Sequence, residues 1–302
     1  MSAGRMASSG FAISRDGGVG RFWRTSCRAI DLSRPVLMGV LNITPDSFSD
    51  GGRFFQRESA LQRLEELANE GADIVDVGGE STRPGSLPVG EEEELSRVMP
   101  VIEAAAGLGV PVSIDTTKSA VARAALEAGA EIVNDVSGLR CDPELAGLAA
   151  DSGAGLVLMH MRGKPRTMQA DIHYDDLMGE IATELGESVE RALDAGCQRD
   201  QLAIDPGIGF GKTPEQNLVL INELDRIGDL GYPVLIGPSR KSFIGKTLGL
   251  DVQNRLEATL AACVIGLLRG ARIFRVHDVM AARRALDMTE LITNQSSGAE
   301  LS

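Results

Sequence analysis

The chain has 302 residues, 43% of them hydrophobic but only 4% aromatic, with a formal net charge of −13. That length allows one large domain or two small ones, and an α/β barrel of about 250 residues around an aliphatic, alanine-rich core would fit as one. The acidic balance argues against general nucleic-acid or anionic-membrane binding, so an anionic ligand has to be held by local cations. Cys27, Cys141, Cys197 and Cys263 show no CxxC spacing. They suggest neither a zinc site nor a disulfide framework, which points to the reducing cytoplasm. No apolar run reaches membrane-spanning length, since even the stretch over 260–268 stops at Arg269.

In chain order, the first 35 residues carry six arginines against Asp16 and Asp31. They lack the apolar core of a secretory signal and the amphipathic period of a transit peptide, and read as an extension over 1–34 with a short hairpin over 22–32. Beyond it, strands are predicted over 36–41, 74–77, 111–114, 132–134, 155–159, 202–204, 234–236 and 272–276. Between them lie predicted helices over 58–70, 91–107, 118–128, 174–195, 215–227, 255–269 and 277–292. The strands are β-branched and nearly continuously apolar, as parallel strands covered on both faces are. The alternation reads as a (β/α)8 TIM barrel in a single domain over 35–293 with a polar tail over 294–302, a doubly wound open sheet being the competitor. The motif positions decide between them, since nearly every polar block begins at the carboxyl end of a predicted strand. Asn42, Gly78, Asp115, Asn134, His160, Asp205, Gly237 and His277 all stand at carboxyl ends of strands. A closed barrel brings those ends to one face, where an open sheet would spread them along an edge.

The first strand runs into Asn42-Ile-Thr-Pro-Asp46-Ser-Phe-Ser-Asp50, whose amide, hydroxyls and carboxylates suit a mobile charged loop better than packing. There follow Asp76-Val-Gly-Gly-Glu-Ser-Thr-Arg-Pro-Gly85, Ser113-Ile-Asp115, Val133-Asn-Asp135, Met159-His-Met161, Asp205-Pro-Gly-Ile-Gly-Phe-Gly-Lys212, Ser239-Arg-Lys-Ser242 and Arg275-Val-His-Asp278. The stretch before Lys212 satisfies neither the Walker spacing nor GxGxxG, so a nucleotide loop is rejected. Together and in this order, from about Arg34 to the late 280s, the blocks resemble the dihydropteroate synthases. These are folate-pathway enzymes that join a pterin pyrophosphate to p-aminobenzoate.

The resemblance implies that Asp115, Asn134 and Asp205 hold the pterin, with Met159 against its ring and Lys241 hydrogen-bonded to it. Carboxylates and an amide complement an aminopyrimidinone edge. Asp115 could equally cap the helix that follows it. Arg83, Arg275 and His277, with Asn42 and Thr82, are the implied pyrophosphate clamp, since arginine forks bind phosphate oxygens bidentately. Arg275 could instead pair with a neighbouring acid. Mg2+ on the pyrophosphate, with Asn42 as its protein ligand, is known only through the resemblance. Thr82, Pro84, Phe210 and Ser239 are expected to bind p-aminobenzoate, Phe210 as an exposed ring between glycines and Ser239 at the opening of a short helix. Outside the resemblance, Ser239-Arg-Lys-Ser242 reads more readily as a solvated basic turn. Asp46, Arg83 and Lys241 are the implied catalytic residues, with Asp46 and Arg83 meeting when the loops over 42–52 and 79–85 close.

The implied reaction is alkyl transfer, giving 7,8-dihydropteroate through a transition state with pterin-methylene cation character. Sulfonamides are expected to compete with p-aminobenzoate, with Phe48, Pro84 and Phe210 tuning discrimination. A homodimer is expected, the helix over 260–268 serving either as interface or as packing against the barrel. The alternatives are a catalytically silent pterin-binding paralogue and a pterin-binding methyltransferase domain. The methyltransferase domain would need neither the Ser239–Lys241 segment nor both loops, and the intact Thr82-Arg83-Pro84 and Lys241 argue against the silent paralogue.

Overall fold

A computed structural model describes residues 21–44, 53–82, 85–105, 107–163 and 166–295. Strands β1 (Phe22–Arg24) and β2 (Ala29–Asp31) form an antiparallel hairpin in which Trp23 faces Ile30. Eight parallel strands follow: β3 (Val36–Asn42), β4 (Ile74–Gly78), β5 (Val112–Asp115), β6 (Ile132–Asp135), β7 (Gly155–Met159), β8 (Leu202–Asp205), β9 (Leu235–Ile236) and β10 (Ile273–Val276). Around them stand α1 (Arg53–Asn69), α2 (Glu91–Ala105), α3 (Ser119–Glu127), α4 (Glu144–Ser152), α5 (Leu177–Asp194), α6 (Pro214–Asn222), α7 (Asp225–Gly228), α8 (Ser242–Leu248), α9 (Leu256–Leu268) and α10 (Val279–Asn294).

The strand order is β8-β7-β6-β5-β4-β3-β10-β9. An isolated parallel bridge between Ile204 and Val234, with Ile204 N–H donating to Pro233 O at 2.9 Å, brings β8 to β9 and nearly closes the barrel. The TIM-barrel expectation holds, and the open sheet is set aside.

Strand parity sorts the core into two shells. Partners in parallel register face the same way, and alternate residues face opposite ways. Val36, Met38, Ile74, Ile132, Val157, Ala203, Leu235 and Ile273 share the interior, while Leu37, Val75, Val112, Val133 and Leu156 face the helices. Each such aliphatic side chain contributes roughly 1.5–3 kcal/mol on burial. Trp23 joins the interior set and closes its amino-terminal end, with its indole Nε1 donating to Gln201 O at 2.7 Å. Gly155 has no room for more, because a Cβ there would lie 3.2 Å from the Trp23 ring. Beneath the hairpin, buried Glu131 accepts from Thr25 Oγ1 at 2.8 Å and Arg28 Nε at 3.0 Å. With that end plugged, ligands have the carboxyl ends of the strands.

The elements depart from expectation in three places. The helix predicted over 215–227 is two, α6 and α7, because the spacing of Leu220, Ile221, Leu224 and Ile227 stays helical through the break. Helix α1 begins at Arg53, ahead of the predicted 58. Helix α4 was not predicted, since Pro143, Gly147 and Gly153 make its short segment read as a turn, yet Leu145, Ala146, Leu148 and Ala149 bury one face. The start of α6 is a sequence-encoded capping box: Thr213 Oγ1 accepts from Gln216 N, Gln216 Oε1 accepts from Thr213 N, and Pro214 occupies the first turn. Among the described residues, no helix is long and apolar enough to cross a membrane.

Candidate active site

The register lines up a polar ring just above the apolar interior. Asn42 is opposite Gly78, Gly78 opposite Asp115, and Asp115 opposite Asn134, while Met159 is opposite Asp205 two strands further on. Parity turns all of these inward. The barrel mouth is therefore lined by side chains from consecutive strands, and the layer below them holds Val40, Ile132, Val157 and Ala203 together with the buried polar Asp76 and Ser113.

At its centre is Arg275 on β10. Its Nε donates to Asp76 Oδ2 at 2.6 Å and its Nη2 to Asp115 Oδ2 at 2.7 Å. Asn134 Nδ2 donates to the same Asp76 Oδ2 at 3.2 Å, which leaves Asn134 Oδ1 as the amide's acceptor. Asp76 Oδ1 is buried without a hydrogen-bond partner. Burial, with the neighbouring Asp76 charge, lifts Asp115 to about 7 in spite of Arg275, and the two carboxylates hold the Arg275 guanidinium firmly protonated. Asp115 does not cap α3: its first amide, Ser119 N, donates to Asp142 Oδ2 at 2.8 Å. The expected cationic cluster is thus altered, since Arg275 is paired with two acids, as the alternative reading allowed.

Asp205 ends β8 with Oδ1 accepting from Gly207 N at 2.7 Å. Burial raises its pKa, opposed first by the charge of Lys241. Lys241 comes from the segment before α8 and donates to Ile208 O. Its ammonium stands 4.2 Å from the centre of the Phe210 ring. Although the residue is only half-buried by area, that end is enclosed, and desolvation lowers its pKa to about 7.

Phe210 is buried, not exposed as expected, because it packs with Val136, Met159, Met161 and Met168 into a small apolar cluster at the rim. Ser239 Oγ accepts from His277 N at 3.2 Å and lies 3.0 Å from His277 Nδ1, which joins the two loops following β9 and β10. Asn42 and Thr82 are half-buried at the mouth. Beneath the Thr82 loop, Lys118 bridges Glu80 and Glu94. Asp46, Phe48, Arg83 and Pro84 lie outside the described residues. The structure therefore brings together Asn42, Asp115, Asn134, Met159, Asp205, Phe210, Lys241 and Arg275 around one opening, with Ser239 and His277 as a pair beside them.

Two groups escaped the sequence reading. Asp76 lies inside the second motif, and a lone carboxylate between Val75 and Val77 on a buried strand is the signal that marks it as a site residue. Lys212 and His160 form a buried contact, Lys212 Nζ to His160 Nδ1 at 3.0 Å, across 52 residues of sequence that no local pattern connects.

A family model described as pterin binding enzyme matches residues 38–277. Over 264 residues the chain is 48% identical to a dihydropteroate synthase of Clostridium beijerinckii, an alignment covering 87% of this chain and 96% of that protein. Among solved structures it is similar to Xanthomonas albilineans dihydropteroate synthase with 4-aminobenzoic acid, with a TM-score of 0.85, 44% identity, and 91% and 100% of the two chains covered. It is also similar to a sulfonamide complex of the Yersinia pestis dihydropteroate synthase, with a TM-score of 0.86, 41% identity, and the same two coverages of 91% and 100%.

Proposed function

The chain belongs to the pterin-binding enzyme family as a dihydropteroate synthase, and on that premise we propose how its residues carry the condensation of 6-hydroxymethyl-7,8-dihydropterin pyrophosphate with p-aminobenzoate. The observation that carries the proposal is the buried set of Asp115, Asn134 and Asp205, joined by the enclosed ammonium of half-buried Lys241, above an apolar floor at the end of the barrel that Trp23 leaves open. Two carboxylates and Asn134 Oδ1 accept from the pterin's N–H groups, Lys241 donates to a ring acceptor, and Met159 lies against the ring face.

In the reaction the C–O bond from the pterin methylene to pyrophosphate breaks, the arylamine nitrogen forms the new C–N bond, and the amine loses a proton. Positive charge builds on the methylene, and the enclosed carboxylates of Asp115 and Asp205 stabilise it. Negative charge builds on the leaving group, which Arg83, Arg275, His277, Thr82 and Asn42 receive. Arg275 does so from its fixed place between Asp76 and Asp115, so its orientation is set before substrate arrives. Thr82, Pro84, Phe210 and Ser239 hold p-aminobenzoate, Ser239 from beside His277. Asp46 and Arg83 act from the closing loops, excluding water that would otherwise capture the methylene. The Xanthomonas relative's 4-aminobenzoic acid and the Yersinia relative's sulfonamide support a shared p-aminobenzoate and sulfonamide site here.

Mg2+ is proposed with the pyrophosphate. Among the described residues no cluster of three His, Cys, Asp or Glu side chains could hold a metal. Asn42 offers one hard oxygen, and Gly78 opposite leaves it space, a Cβ there coming within 3.4 Å of Asn42 Oδ1. One protein oxygen completed by phosphate oxygens and water suits Mg2+. The ion would supply charge neutralisation on the leaving group.

We also infer a homodimer built on α9 and α10, which pack on each other and expose Ile265, Met280, Met288, Leu291 and Ile292. The four cysteines are unpaired, in keeping with the cytoplasm. Calorimetric titration with the pterin pyrophosphate tests the pterin assignment: Asp205→Asn is expected to weaken binding about tenfold or more, and unchanged affinity would overturn it.

A further inference from the structure

Behind the mouth lies a lysine with no role in the reaction as derived. Lys212 follows the loop over 206–211 and is buried. Its ammonium has three N–H groups and meets three acceptors: Gly207 O at 3.0 Å, Phe210 O at 3.1 Å and His160 Nδ1 at 3.0 Å. None of these is a carboxylate. A desolvated cation fully matched to neutral acceptors is costly to keep, and an apolar side chain would fill the space without that cost.

Its effect is on the shape of the loop. Gly207 and Gly209 take φ values of +70° and +83°, where side chains are strained. A Cβ on Gly207 would stand 1.9 Å from His160 O, and one on Gly209 would stand 2.9 Å from Lys241 Cδ. The loop is pressed between β7 and Lys241, and its carbonyls turn inward onto Lys212. In that shape Ile208 O receives Lys241, Gly209 N donates to Asn217 Oδ1 at 2.6 Å, and the Phe210 ring lies under the Lys241 ammonium.

The anchor extends outward. Because His160 Nδ1 accepts from Lys212, its proton sits on Nε2, which approaches Glu184 Oε2 at 3.2 Å without the alignment of a hydrogen bond. Burial and the charge of Lys212 hold this histidine neutral, with its pKa lowered to about 4. Glu184 is itself fixed by Arg140 and Arg162, and Tyr174 Oη donates to Gly211 O at 3.0 Å.

We propose that Lys212 is a positioning residue for the reaction: by binding the carbonyls of Gly207 and Phe210 to the His160 ring, it holds Phe210 and Lys241 at the spacing that p-aminobenzoate requires. The proposal rests on the reading of the mouth as the site of both substrates. Lys212 touches neither.

The test uses the full-length enzyme at pH 6, below the value of about 7 to which burial lowers Lys212, so that its ammonium is kept, with pyrophosphate release as readout and separate calorimetric titration of the pterin pyrophosphate. Lys212→Met is expected to raise the KM for p-aminobenzoate about tenfold or more, with a smaller loss of pterin affinity, because Lys241, which the same loop receives, also donates to the pterin. An unchanged KM, or an equal loss for both ligands, overturns the proposal. Should Lys212→Met not fold, the His160 pair decides. His160→Asn keeps an acceptor for Lys212 and is expected to hold the KM near wild type, while His160→Leu removes the acceptor and raises it. Equal effects of the two changes overturn the proposal. Wild-type release is measured alongside, so failure of the synthase reading appears there and failure of the Lys212 role appears only in the variants.

Discussion

Arg275→Met removes a cation that touches two buried carboxylates, with Asp76 and Asp115 only 0% and 7% exposed. Breaking one such pair costs roughly 3–5 kcal/mol. The second pair does not double this near neutral pH, because Asp115, already raised to about 7, can take up a proton instead. That escape gives the effect a pH dependence. A carboxyl whose folded pKa lies above its ordinary 3.8 binds protons on folding, so stability falls as pH rises from about 4 to about 7 and then levels. Without Arg275 the folded value moves higher still, so the Asp115 contribution keeps falling above 7 in the variant where it is level in the wild type. The gap then widens by up to about 1.4 kcal/mol per pH unit. Urea unfolding at pH 6, 7 and 8, followed by the fluorescence of the single tryptophan, Trp23, reads it directly. A gap equal at pH 6 and pH 8, or a variant as stable as wild type, would refute the reasoning.

Trp23→Ala is expected to destabilise the barrel by roughly 3–5 kcal/mol while leaving both substrates' KM values near wild type, since the plug lies opposite the mouth; denaturation and steady-state kinetics check both halves. Ser239→Ala should cost about 1 kcal/mol of p-aminobenzoate binding, about a fivefold rise in KM, with pterin affinity unchanged by calorimetry. Chelation of Mg2+ is expected to weaken binding of the pterin pyrophosphate but not of the pterin without its phosphates, and Asn42→Ala should shrink that difference; equal effects on both ligands would count against the metal assignment.

The barrel was legible because nearly every polar block begins where an apolar strand ends, a pattern that carries both the strand and its open end. The same pattern marked Asn42, Asp115, Asn134 and Asp205. Asp76 sits in mid-strand instead, and only the parity of Ile74, Asp76 and Gly78 shows that it points inward beside Arg275. Phe210 was misjudged because flanking glycines suggested exposure, while the methionines that bury it come from β7 and the loop beyond it. The Arg275 pairs span 160 and 199 residues, and the Lys212–His160 contact 52, distances over which closure of the barrel, and no local spacing, decides who meets whom.

Pyrophosphate release by the purified protein with the pterin pyrophosphate and Mg2+, with and without p-aminobenzoate, tests the central claim most directly. The account predicts release that requires p-aminobenzoate and is lost in Lys241→Ala. Tight pterin binding with no p-aminobenzoate-dependent release would contradict it and make the chain a silent pterin-binding module.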